Sequence, residues 1–82
     1  MKLENAIKKL SKFGKVENSG ALYFAKINNS IVEFMRNGPV EAGYGITCIR
    51  IRSVIDNDDV MTDYFAGTWC NTLTQAIKMA TR

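Results

Sequence analysis

Hydrophobic residues recur at two different periods along the 82-residue chain. Leu3, Ala6, Ile7 and Leu10 fall at i, i+3, i+4 and i+7, and Phe13 continues the stripe. Lys2, Lys8, Lys9 and Lys12 mostly lie off it. This is the period of an amphipathic helix, predicted over about 2–13. Gly14 offers a left-handed residue to end it, and Lys12 suits the C-terminal end of its dipole. The same spacing returns in Leu73, Ala76, Ile77 and Ala80. Thr72 and Gln75 stand as a capping box, in which two side chains satisfy free backbone N–H groups reciprocally. A second helix is therefore predicted over about 72–81, with Lys78 and Arg82 near its C-terminal end.

Between these stretches the period drops to two. Lys15–Gly20 reads as a polar connection. A-L-Y-F-A-K-I (21–27) and S-I-V-E-F-M-R (30–36) are β-prone runs flanking Asn28-Asn29. Asparagine tolerates the positive φ of a two-residue hairpin turn, which predicts Ala25 opposite Val32, Tyr23 opposite Phe34 and Phe24 opposite Glu33. One face then carries Ala21, Tyr23, Ala25, Ile27, Val32 and Phe34; it has no charge and should meet the core. The other carries Leu22, Phe24, Lys26, Ile31, Glu33 and Met35. Asn37–Gly45 holds three of six glycines and the only proline, and reads as a long hairpin loop. In I-T-C-I-R-I-R-S (46–53), Ile49 and Ile51 point one way and Cys48, Arg50 and Arg52 the other. Val54 and Ile55 break the alternation, Asp56–Asp59 reads as an acidic turn, and a fourth strand runs from Val60 to Ala66 or Thr68.

Helix, four strands, helix is most economically an α+β two-layer sandwich. One domain spans 1–82, built as a four-stranded antiparallel meander with both helices on one sheet face. The chain turns from sheet to last helix at Gly67–Cys70, where its only tryptophan, Trp69, sits. A large apolar residue at that corner is expected to anchor the helix to the sheet.

Composition narrows the chemistry. There is no histidine, so neither a Ser-His nor a Cys-His pair can be built. Three of the acids that could serve a carboxylate mechanism crowd the 56–59 turn, where solvation keeps them ordinary. A non-enzymatic protein is expected, with no cofactor. Cys48 and Cys70 alone cannot supply the four ligands of a structural zinc site; they read as two reduced thiols packed as small apolar residues. A calcium loop starting at Asp56 would need glycine at its sixth position and glutamate at its twelfth; Met61 and Gly67 stand there. The 37–45 glycines lack the Lys-Ser/Thr ending of a phosphate loop. No run approaches the roughly 18 apolar residues of a membrane span, and the N-terminus is too polar for a signal peptide. No membrane association is expected, and a cytoplasmic location is the default. Net charge is +3, a mild basicity that fits many kinds of partner.

D-Y-F-A-G-T-W-C-N-T-L-T-Q-A-I, with I-R-I-R-S-V-I-D-N-D-D ahead of it, resembles small uncharacterised proteins of bacteriophages and mobile elements over about residues 46–80. The resemblance implies such an origin, and with it the binding of a host or competitor macromolecule. The double-stranded-RNA-binding domain offers a second comparison, with its helix, three strands and helix. The present chain departs from it by a fourth strand and by T-L-T-Q-A where that family carries lysines that grip phosphates.

The outer sheet face is the candidate site. Leu22, Phe24, Lys26, Glu33, Met35, Arg50 and Arg52 would share it, with Tyr44 in the adjoining 37–45 loop. Aromatic, Met and Arg side chains on an uncovered face have the composition of interface centres. The expected partner is a protein, or a second copy of the chain in a homodimer. The alternative is RNA or single-stranded DNA, with Arg50, Arg52 and Lys26 on phosphates and Phe24 stacked on a base. Glu33 beside the arginines weighs against it.

Overall fold

A computed structural model of the chain describes residues 1–38, 45–53 and 67–82. The predicted fourth strand from Val60 as far as Ala66, the break at Val54–Ile55, the acidic turn at 56–59 and Tyr44 lie outside the described residues, and of that strand only the longer bound, Thr68, is described.

The described chain is α+β. Two helices, α1 (Leu3–Ser11) and α2 (Leu73–Ala80), flank five strands: β1 (Glu17–Ser19), β2 (Leu22–Ile27), β3 (Ser30–Arg36), β4 (Ile46–Ser53) and β5 (Thr68–Trp69). The strands form one sheet in chain order, and every neighbouring pair is antiparallel. The central hairpin has the register its sequence predicts: Ala25 faces Val32, Tyr23 faces Phe34 and Phe24 faces Glu33. Asn28 takes the positive φ of its turn, at 56°, and its side-chain amide donates to the Ala80 carbonyl (3.0 Å), tying the hairpin to the end of α2.

Four local features differ from the sequence pattern. Lys15–Gly20 is more than a connection: Glu17–Ser19 pairs with Leu22–Phe24 around Gly20, whose φ is +60°. That turn takes Ala21 out of the strand. The first helix stops at Ser11, and Phe13, expected to extend its apolar stripe, is exposed. Gly14 is not among the left-handed residues; the helix instead closes through Phe13 and Gly14 N–H groups on the Leu10 carbonyl. Glycine serves at 14 because a Cβ there would lie 2.6 Å from the Lys26 carbonyl oxygen. Finally, β4 carries a bulge. Glu33 pairs with Arg50 but Met35 pairs with Thr47, so Phe34 alone opposes Cys48 and Ile49. Cys48 absorbs the extra residue at φ +52°. The bulge resets the parity, and both Ile46 and Ile49 pack toward the core.

Burial follows the two periods. Leu3, Ala6 and Leu10 of α1 and Leu73, Ala76, Ile77 and Ala80 of α2 join Ala25, Ile27, Val32, Phe34, Ile49 and Ile51 in one hydrophobic cluster. Tyr23 and Phe34 stack across the hairpin at 5.6 Å with ring planes 9° apart. At the start of α2, Thr72 Oγ1 accepts from the Gln75 N–H (3.1 Å). Gln75 returns the bond one residue further back than a standard box, accepting from the Asn71 N–H at 3.1 Å. No helix among the described residues is long and apolar enough to cross a membrane.

Candidate functional site

Strand pairing arranges the face opposite the cluster into cross-strand rows. Glu17, Phe24, Glu33, Arg50 and Trp69 succeed one another across all five strands. Lys26, Ile31 and Arg52 form a second row, and Leu22, Met35 and Thr47 a third. Seven of the eight predicted site residues thus share one face. The eighth, Tyr44, is outside the described residues.

The rows are not uniformly accessible. Lys26 is exposed, and Leu22, Phe24 and Met35 are half-buried. Glu33, Arg50 and Arg52, expected on an uncovered surface, are buried at 4%, 1% and 3% exposure. Register places both arginines beside one carboxylate. Glu33 Oε1 accepts from both Nε and Nη2 of Arg50. Glu33 Oε2 lies 3.8 Å from Arg52 Nε, beyond hydrogen-bond reach. Arg50 and Arg52 are therefore too deep to meet a phosphate backbone, and Lys26 is the accessible cation among the residues predicted for that role.

Trp69 corrects the sequence reading of the corner. Its pairing with Arg50 puts it on the outer face, where the Arg50 guanidinium lies 5.5 Å from the indole centroid. The ring remains 50% exposed, so Trp69 does not anchor the last helix. The next residue does: Cys70, pointing to the opposite side, packs on the hydrophobic cluster with its Sγ 3.9 Å from Met79 Sδ. Burial pushes the Cys70 thiol up from its ordinary value. The corner itself requires Gly67, at φ +99°, where a Cβ would lie 2.5 Å from the Ile51 carbonyl oxygen.

Sequence reasoning missed Trp69 as a surface residue. A signal was present, since one-residue alternation across Trp69-Cys70 cannot send both inward. It missed also a cavity of about 280 Å³ bounded by Met1, Ile46, Ile49 and the start of α2 (Asn71–Thr74). Its described lining has no carboxylate, lysine, arginine or thiol side chain. Among the described residues no group of three acidic or cysteine side chains could hold a metal ion. Comparison with family models, with curated proteins and with solved structures gave no match.

Proposed function

We propose that the protein is a small non-enzymatic binding module that docks a protein partner on the outer face of its sheet. This reading takes the fold as a two-layer sandwich, both helices on one face, leaving the other for the partner. The observation that carries it is Trp69: a half-exposed indole held over a buried guanidinium on the helix-free side. Indole and arginine are enriched at interface centres because they bury large area with little loss of rotamer freedom. Arg50 fixes Trp69 from beneath, and Glu33 fixes Arg50, so the ring is pre-organised for contact. Phe24, about 14 Å away across three strand spacings, supplies a second aromatic in the same row, with Leu22 and Met35 beside it and Lys26 at the rim. The 37–45 loop, with Tyr44, adjoins this face in the chain and belongs to the proposed surface. The resemblance to phage and mobile-element proteins fits a partner from a host or a competitor.

Nucleic acid is the weaker reading, because the two arginines it needs are buried. The test separates the two surfaces. Trp69→Ala and Phe24→Ala should lose a protein retained by the wild type, whereas Lys8→Glu/Lys12→Glu, on the exposed side of α1, should keep it. Retention that survives both aromatic substitutions and fails with the lysine pair would refute this assignment.

A further inference from the structure

We propose that the cavity at the start of α2 is a binding site for a small uncharged aromatic molecule. It measures about 280 Å³ and is lined by Met1, Ile46, Ile49 and Asn71–Thr74. The β4 bulge shapes one wall, because it turns Ile46 as well as Ile49 toward the hydrophobic cluster. Helix α2 begins only at Leu73, and Ile46 is left half-buried. Its apolar lining belongs to the cluster side of the sheet, so the site is separate from the docking face proposed above.

Burial gives the cavity a polarity. Ile49 and Leu73, at 8% and 2% exposure, form its deep end, whereas Met1, Asn71, Thr72 and Thr74 are exposed at its mouth. Two of the polar groups there are already engaged: Thr72 Oγ1 accepts from the Gln75 N–H and Thr74 Oγ1 from Lys9 Nζ. Among the described residues no charged side chain lines the cavity. An ionised group carried to the deep end would lose its water without gaining a partner. The walls reward a molecule that buries apolar area and keeps one polar group at the mouth. Met1 favours a ring, since a thioether is flexible and its sulfur makes attractive contacts with aromatic edges. Size agrees, because an apolar cavity of about 150 Å³ accepts benzene and the larger volume here accommodates a substituted ring.

The probe is p-cresol, an apolar ring with one hydroxyl. It is titrated into the full chain carrying ¹³C-labelled methyl groups, and intermolecular NOEs are recorded. The expected result is a saturable shift of the Ile46, Ile49 and Leu73 methyls, with NOEs from the ring to the same groups. Phe24→Ala should leave this response unchanged, since Phe24 lies on the other face. Ile46→Trp, which fills the cavity from its half-buried wall, should weaken the apparent affinity at least about tenfold; where that variant does not fold, the wild-type NOEs decide. Absence of a saturable methyl response would overturn the proposal. So would NOEs to Phe24 or Trp69 in place of the three methyls, or undiminished binding by folded Ile46→Trp.

Discussion

Glu33→Gln is the substitution most exposed to refutation. The side chain keeps its shape and loses the charge that holds Arg50 and faces Arg52. Glu33 is 4% exposed and Arg50 is 1% exposed, so water cannot replace the lost carboxylate. Removing one partner of a buried ion pair costs about 3–5 kcal/mol, because the other charge stays buried and uncompensated. Here a glutamine on β3 would leave the guanidiniums of Arg50 and Arg52, both on β4, facing a neutral amide. A domain of this length is stabilised by about 4–12 kcal/mol in total, so the variant should be marginal. At about 4–8 °C per kcal/mol, its melting midpoint should fall by at least about 12 °C. The assay is urea unfolding followed by Trp69 fluorescence, with circular dichroism as a second probe. Arg50→Met should be costly for the same reason, and the double variant should cost at least about 2 kcal/mol less than the sum of the two. A Glu33→Gln loss below about 1 kcal/mol would refute the reasoning, since it would mean the carboxylate is solvated.

Gly67→Ala should cost more than about 2 kcal/mol in urea unfolding. Its φ of +99° strains any side chain, and a Cβ would lie 2.5 Å from the Ile51 carbonyl and 2.8 Å from Arg52 Cβ; an unchanged midpoint would contradict that geometry. The two thiols should separate in reactivity. Cys48 is exposed at the β4 bulge and Cys70 is half-buried with its thiol pKa raised by burial. Iodoacetamide should therefore modify Cys48 first in a peptide-mapped time course, with Cys70 following at higher pH than an ordinary thiol; the reverse order would place Cys70 outside the core. Thr72→Ala removes the Oγ1 acceptor of the Gln75 N–H and should cost about 1 kcal/mol.

How much of this was legible in the sequence depends on how local the determining forces are. The β2–β3 register follows from a two-residue asparagine turn, and the stripes of α1 and α2 follow from neighbours three and four positions apart. Both are short-range and both were readable. β1 was not, because Glu17, Asn18 and Ser19 are all exposed and a strand without a buried face leaves no alternation to read. The β4 bulge left a faint mark: Ile46 and Ile49 are both apolar at an odd separation, which a regular strand cannot bury together. Which residues share the outer face was readable from parity, but not the burial of its charges. That depends on Glu33 and Arg50, 17 positions apart, meeting in one row after the hairpins close. Trp69 was misplaced because size was allowed to outweigh alternation.

The central proposal is that the sheet face opposite the hydrophobic cluster, with Trp69 at one end of its aromatic row, is where a partner docks. The most direct measurement is photo-crosslinking in the cells that make the protein, with a photoreactive residue placed in turn at Leu22, Lys26, Trp69 and, on the opposite side, Lys8. Docking on the sheet predicts one discrete protein adduct shared by the first three positions and absent from the fourth. Adducts from Lys8 alone, or an adduct that requires nucleic acid, would contradict it.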